Sequence, residues 1–255
     1  MRARALLVVT VLSASVALAQ GGVELESYLW RPELTSTVRS VAGGAPIDPA
    51  LATLDLKADL GMQDQDAVDY RLTFRTGPHS RVRLAYLGLQ YDGDAHVERT
   101  IEFNGQTYLV GTRVISALSL DYARLGWIWQ FLGNDSARLG TIVEAKAVKI
   151  DAALRAPGLQ PPVEESDSRS AVLPTVGLAL DLTPHRVINL FAEVSGIAAG
   201  SRGRFLDGEV GLRLTPLRFL TIVGGYRVID LRLEDEPDLA ELKDKGPFFG
   251  FNLRF

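Results

Sequence analysis

The sequence predicts an all-β fold, a closed up-and-down antiparallel barrel of about ten strands, with eight to twelve possible. Two observations carry this prediction. Apolar residues recur at every second position through most of the chain, which is the period of a β-strand. Short turns also alternate with longer polar connections, which is the pattern of strands that run up and down in order.

Residues 1–19 are predicted to be an export signal that precedes the barrel. Arg2 and Arg4 form a basic start, residues 5–18 are largely apolar, and Ala17-Leu18-Ala19 has the small residues of a cleavage site. An uncleaved anchor is the alternative, but the run is shorter than the roughly 20 residues that a spanning helix needs. We therefore expect one domain over residues 20–255, the barrel.

The composition excludes several kinds of site. There is no cysteine, so neither a disulfide framework nor a lipid-modified cysteine is available. A net charge of -4 does not favour nucleic acid as a partner. The sequence also has no phosphate-binding glycine loop and no zinc-ligand spacing. We expect no cofactor, no metal and no catalytic residue.

The first strand is predicted over residues 23–40, and tight turns join the strands that follow. The second strand alternates Val68, Tyr70, Leu72 and Phe74 with charged or polar neighbours, as a strand with two different faces does. Four segments have the residues of tight turns: Gly77 to Ser80, Gly133 to Ser136, Thr183 to Arg186 and Thr215 to Arg218.

The strand before Gly133 changes its pattern partway along. Leu118, Leu120 and Tyr122 share one face, whereas Leu125 and the aromatic residues after it have the opposite phase. One extra residue reverses the facing of every residue that follows. We therefore expect a β-bulge near Ala123 and Arg124.

The longer connections all fall between the hairpins. They are residues 40–65, 92–113, 155–168, 198–203 and 234–245, and the second is expected to contain its own hairpin with a turn at Asn104-Gly105. In an up-and-down barrel the short turns then lie at one end and the long connections at the other. A last strand is expected over residues 247–255.

Alternation alone leaves two barrels open. A soluble barrel buries its apolar face, whereas a membrane barrel turns that face to lipid and its charges inward. The export signal, the one-sided long loops and the aromatics at Tyr28, Trp30, Trp127 and Trp129 favour the membrane. The charges then expected in the lumen are Asp69, Arg71, Arg75, Arg83, Asp121, Glu144, Lys146, Glu193, Asp207, Glu209, Arg213 and Arg227.

The final strand carries a further signal. Phe249, Phe251, Leu253 and Phe255 occupy alternate positions, and this ending resembles that of Gram-negative outer-membrane β-barrel proteins. The resemblance covers the whole layout but no specific characterised family. It implies location in the cell outer membrane, and contact with outer-membrane lipid and lipopolysaccharide. It also implies that the barrel-assembly machinery recognises these four residues as an assembly signal.

Three functions remain open at this point. The mixed charges favour a largely filled, salt-bridged lumen and a structural or surface-interaction role. A narrow pore for small solutes is the second possibility. The third is a lipid A deacylase-like or omptin-like hydrolase that uses His96 beside Asp92, Asp94 and Glu98, because His79 and His185 fall in the short turns.

Two acidic segments, Glu164 to Asp167 and Glu234 to Asp238, are expected on the long-loop side. They are either simply solvated or gather divalent cations at a lipopolysaccharide surface.

Overall fold

The computed structural model describes residues 22–39, 53–103, 106–134, 136–198, 200, 203–235 and 238–255. The predicted signal, residues 1–19, lies outside them. Within these ranges no helix is long and apolar enough to cross a membrane.

The strands follow one another along nearly the whole described chain. In order they are β1 Val23–Trp30, β2 Glu33–Arg39, β3 Thr53–Asp55, β4 Ala67–Gly77, β5 Ser80–His96, β6 Ile101–Phe103, β7 Gln106–Tyr108, β8 Arg113–Gly133, β9 Ala137–Ala156, β10 Val163–His185, β11 Ile188–Ala198, β12 Gly203–Leu217, β13 Leu220–Asp235 and β14 Asp238–Arg254.

Ten of these strands close into an antiparallel barrel, as the sequence predicts. The order around the wall is β1, β4, β5, β8, β9, β10, β11, β12, β13 and β14, and β14 pairs again with β1. Backbone hydrogen bonds in both directions between Val23 and Phe255, at 3.2 and 2.9 Å, continue this seam. Closure leaves the wall without a free edge at the seam.

The predicted first strand over residues 23–40 is wrong as a single element. It breaks at Arg31-Pro32 into β1 and β2, where proline supplies no backbone N–H for a ladder. β1 pairs with the Phe248 to Arg254 part of β14, whereas β2 pairs with the part from Leu239 to Lys245 and with β3. β14 therefore pairs with β2 near the long-loop end and with β1 near the short-turn end.

The long connections are largely extensions of the strands. β5 continues to His96, β9 to Ala156, and β10 begins at Val163. The acidic segment from Glu164 to Asp167 consequently lies in β10 rather than in a loop. The hairpin expected in residues 92–113 is present as β6 and β7, with its turn residues outside the described ranges.

The outer surface has an apolar belt around the short-turn half of the barrel. It includes exposed Leu84, Tyr86, Leu125, Trp127, Val143, Val176, Leu178, Val210, Ile222, Tyr226, Phe249 and Phe251. An outward apolar band with aromatics is what a bilayer requires. Trp127 and Trp129 lie in it as predicted, but Tyr28 and Trp30 are only 1% exposed and point inward.

On the long-loop side of this belt, which we call above it, the outer faces of β5, β8, β9 and β10 become polar. Asp121 and Lys149 are paired across β8 and β9, and Lys149 forms an ion pair with Asp151 at 2.6 Å. Higher still, Arg113 pairs with Asp94 at 2.6 Å on the same surface. These four strands therefore extend past the apolar belt into an aqueous environment.

No bulge occurs at Ala123 and Arg124, so that prediction is wrong. β8 pairs continuously with β5 and β9 through both residues, and its register shift lies between Gln130 and Leu132. Leu118, Leu120 and Tyr122 simply point inward, with at most 6% exposure. Arg124 keeps the same inward phase. The inward side chains of β8 therefore change from apolar to charged along the strand, while their facing stays the same.

An apolar core fills the long-loop half of the lumen. Residues 53–66 contribute Leu54, Leu56, Leu60 and Met62 to it, each at most 5% exposed. They pack in one cluster with the inward side chains of the wall, including Leu89, Leu118, Leu154, Phe205, Ile229 and Leu242. We call residues 53–66 the plug segment.

Candidate functional site

A compact group of ionised side chains lies below the apolar core. We call it the charge network, and it consists of Asp69, Arg71, Arg124, Glu144, Lys146, Asp207, Glu209 and Arg227. Each is at most 7% exposed. The alternation of each strand places these side chains inside because the opposite face meets the apolar belt.

Two aspartates hold the cations of the charge network together. Asp69 lies 2.6 Å from Arg227, 2.8 Å from Arg71 and 3.0 Å from Arg124. Asp207 accepts hydrogen bonds from Arg227 at 3.0 Å, from Arg124 at 3.2 Å and from Lys146 at 3.3 Å. Each carboxylate therefore bridges cations from different strands.

The remaining members complete the charge balance. Arg71 donates two hydrogen bonds to Glu209 at 2.7 and 2.6 Å, in the forked geometry that favours arginine. Lys146 lies 3.2 Å from Glu144, and Ser195 bridges the two. Four cations thus face four carboxylates, as burial of charge requires.

Aromatic rings cover the charge network on its apolar side. The guanidinium groups of Arg71 and Arg227 lie 4.5 and 5.3 Å from the ring centres of Tyr28 and Trp30. The Lys146 ammonium lies 5.0 Å from the ring centre of Phe205. Such cation–π contacts connect the ionic layer directly to the apolar core.

Below the charge network the lumen opens as a polar cavity of about 260 Å³ at the short-turn end, which we call the vestibule. Its charged lining residues are Glu24, Glu26, Arg75, Arg81, Arg83, Arg138, Asp181, Arg213 and Arg254. Glu193 lies behind this lining and accepts hydrogen bonds from Arg83 at 2.6 and 3.1 Å and from Arg81 at 3.0 Å.

The predicted lumen residues all lie on the inward face except Asp121. The central ones form the charge network, whereas Arg75, Arg83, Glu193 and Arg213 belong to the vestibule. Asp121 faces outward, where Tyr86 donates a 2.5 Å hydrogen bond to it. That prediction is corrected because β8 has no bulge, so Asp121 has the phase opposite to Tyr122 and Arg124.

Charged lumen residues were also missed by sequence reasoning. Arg124 and Arg81 both lie inside, and Arg138 lies at the vestibule wall. The apolar core was missed as well, although the change of phase after Tyr122 was its signal. If the whole lumen is assumed to be polar, apolar inward side chains are taken to face outward. The later change of phase then seems to require a bulge.

The histidines do not converge on a catalytic arrangement. His79 and His185 lie exposed at the short-turn end, and His96 is exposed on the outer face of β5. Asp94, two residues from His96, accepts two hydrogen bonds from Arg113 at 2.9 and 2.6 Å. Among the described residues no cluster of acidic or histidine side chains is arranged to hold a metal ion.

The plug segment is held by its own ion pairs. Lys57 donates to both carboxylate oxygens of Asp64 at 2.8 and 2.7 Å, and Asp64 also accepts the backbone N–H of Leu34. Burial alone would raise the pKa of Asp64, but these hydrogen bonds outweigh it and lower that pKa. Burial alone would likewise raise the pKa of Asp59, but hydrogen bonds from Arg99 and the Asp55 backbone outweigh it and lower that pKa.

No family model matches the chain, and no curated protein does. Solved structures do match. The outer membrane protease OmpT from Escherichia coli has a TM-score of 0.55 and 9% identity, with 92% of this chain and 97% of that chain covered. This chain has the fold of an outer-membrane β-barrel.

A second outer-membrane β-barrel supports the same fold. The translocator domain of the autotransporter NalP from Neisseria meningitidis has a TM-score of 0.52 and 11% identity, with 94% of this chain and 90% of that chain covered. At these identities the likeness concerns the fold. The apolar belt agrees with the outer-membrane location that the sequence predicts.

Proposed function

We propose that this outer-membrane β-barrel does not conduct solutes and instead has a structural or surface-interaction role. The observation that carries the proposal is the filling of the lumen by two successive layers. An apolar core that includes the plug segment occupies one half. The charge network, with each member at most 7% exposed, lies directly beneath it.

The extension beyond the apolar belt supports a role at the surface. In barrels of this class the longer connections face the outside of the cell. Leu109 and Val110, between β7 and β8, are 65% and 63% exposed at the far end of this extension. Two adjacent apolar side chains exposed there favour contact with another molecule.

Two kinds of partner remain proposals. The apolar belt supports contact with outer-membrane lipid and lipopolysaccharide. Phe249, Phe251 and Phe255 point outward with 65%, 46% and 74% exposure, which leaves their side chains accessible to an assembly factor. Their role as an assembly signal for the barrel-assembly machinery stays a prediction.

Conductance separates the proposed function from a pore. We expect purified barrel in a planar bilayer to give no steady single-channel current, and vesicles that contain it to exclude small sugars. An open porin-type barrel at the same protein-to-lipid ratio serves as the control. Steady, ion-selective conductance would replace the filled-lumen proposal with a narrow pore.

The hydrolase alternative has its own test. We expect no turnover of lipid A or of peptides by the purified barrel, because His96 faces away from the lumen and the nearby Asp94 is bound by Arg113. Turnover that disappears in His96→Ala but persists in His185→Ala would contradict the proposed function.

A further inference from the structure

We propose that the vestibule is a binding site for a small multivalent oxyanion, a molecule with phosphate or carboxylate groups that carries two or more negative charges. It is accessible from the short-turn side of the barrel, which faces the periplasm in this class. The inference rests on the vestibule alone, and it holds whether or not the outer extension contacts a partner.

The charge balance of the vestibule differs from that of the charge network. Six arginines line it: Arg75, Arg81, Arg83, Arg138, Arg213 and Arg254. The carboxylates that face them are Glu24, Glu26, Asp181 and Glu193. Positive charges therefore exceed negative charges here, whereas the network above is balanced. A concave site with an excess of one charge sign between low-dielectric walls concentrates counter-ions.

The arginines divide into a floor and a rim. At the floor, Arg83 and Arg81 are held by Glu193, and Arg213 donates to Asp181 at 2.8 Å. The Arg213 guanidinium also lies 3.7 Å from the ring centre of Phe191. These contacts fix the directions of the guanidinium groups before any ligand arrives, which reduces the entropy cost of binding.

Two buried donors at the floor lack a hydrogen-bond partner. The buried Nε groups of Arg81 and Arg83 have no hydrogen-bond partner among the described residues, and the side chain of Arg83 is only 4% exposed. A buried N–H without a partner is costly and calls for an acceptor.

The rim supplies the remaining positive charge. Arg75 and Arg254 share Glu24, at 2.6 and 3.1 Å, so two cations use one carboxylate. Arg138 lies on the inward face of β9 at the cavity and, within the part of the chain described above, forms no ion pair. Arginine presents a planar fork of donors that suits phosphate and carboxylate oxygens. Arg138 is thus the cation most available for a ligand.

Titration calorimetry on the folded full-length barrel in detergent tests the inference, with pyrophosphate and citrate as separate probes. We expect saturable binding of at least one probe, and Arg138→Gln should weaken it by about tenfold, the worth of one charged hydrogen bond. The ratio of the two affinities distinguishes a phosphate ligand from a carboxylate ligand. Arg138 has no ion pair to lose, so the variant should fold.

Arg186→Gln is the matched control. Arg186 lies exposed in the short turn between β10 and β11 at the same end of the barrel, outside the cavity lining. It removes the same charge, so binding should be unchanged. Equal weakening in both variants would reduce the effect to general charge attraction and overturn the proposal, as would the absence of saturable binding of both probes.

A second measurement needs no variant. Phenylglyoxal modifies accessible arginine side chains, and mass spectrometry locates the modified residues. We expect the better-binding probe to protect Arg138, Arg75 and Arg254 while leaving Arg186 reactive. Equal modification with and without the probe would count against a site in the vestibule.

Discussion

Arg227 and Asp207 lie side by side in the lumen and share two hydrogen bonds, each 3.0 Å long. Their side chains are 1% and 4% exposed, and they come from adjacent strands β13 and β12. Asp207 also forms ion pairs with Arg124 and Lys146. One carboxylate is therefore in contact with three buried cations.

Removing that carboxylate should be severely destabilising. We expect Asp207→Asn to lower the free energy of unfolding by about 3–5 kcal/mol, because it leaves buried cations without a counter-charge. The measurement is urea unfolding of the folded barrel in vesicles, followed by heat-modifiable gel mobility. Glu164→Gln is the control. Glu164 and its partner Arg155 are both 61% exposed, so the loss should be under about 1 kcal/mol.

Gly93 makes room for the plug segment. A Cβ at this position would lie 2.3 Å from the Leu60 carbonyl oxygen and 2.6 Å from the Ser116 hydroxyl, so Gly93→Val should displace the segment. The chain has no cysteine, and Leu60→Cys can therefore report through a water-soluble maleimide. We expect fast labelling with Gly93→Val and slow labelling without it. Gly158→Val is the control, because no described residue lies within 4 Å of a Cβ added at that position.

Acidification should loosen the plug segment. The pKa values of Asp59 and Asp64 lie below their usual value of 3.8 in the folded chain. Such groups stabilise the fold above the unfolded-state pKa, and this contribution is lost as the pH falls through the folded-state pKa. Stability from these groups is therefore complete at neutral pH and declines below 3.8.

Hydrogen exchange measures this pH dependence. We expect residues 53–66 to lose protection at about pH 3 relative to neutral pH, after correction for intrinsic exchange rates. Asp64→Asn should reduce protection already at neutral pH, because the amide forms no ion pair with Lys57. Protection of the wild-type segment that does not change with pH would contradict this account.

The apolar belt predicts position-dependent effects of charge. Ala145 and Ala153 both face outward in β9, but Ala145 lies within the belt beside Leu125 and Ala153 lies in the polar extension beside Ala117. We expect Ala145→Arg to cost up to about 2–4 kcal/mol and Ala153→Arg to cost little. Refolding yield in vesicles, measured by gel mobility, provides the comparison. Equal yields would mean that the belt is wrongly placed.

Local patterns sufficed for much of the barrel. From Asp69 to Phe74, successive side chains point alternately to the charged lumen and to the lipid-facing surface. The facing of each residue can therefore be predicted from its position in the strand alone. Pro78, Pro184 and Pro216 mark turns for equally local reasons. The number of strands, their order and most inward charges could therefore be predicted from the sequence. Asp121 was misplaced because the identity of the medium inside is not a local property.

Tertiary structure alone decided how the inner surface is filled. Arg71 meets Glu209 across 138 positions of sequence, and Arg83 meets Glu193 across 110. Closure of the wall brings such pairs together, and alternation cannot say which cation faces which carboxylate. The same closure joins the plug segment to Leu118 and Leu120. The sequence by itself determined the alternation of the strands and most of the inward charges; only the packed lumen decided that the inward side chains form an apolar core, a balanced charge network and a cationic vestibule.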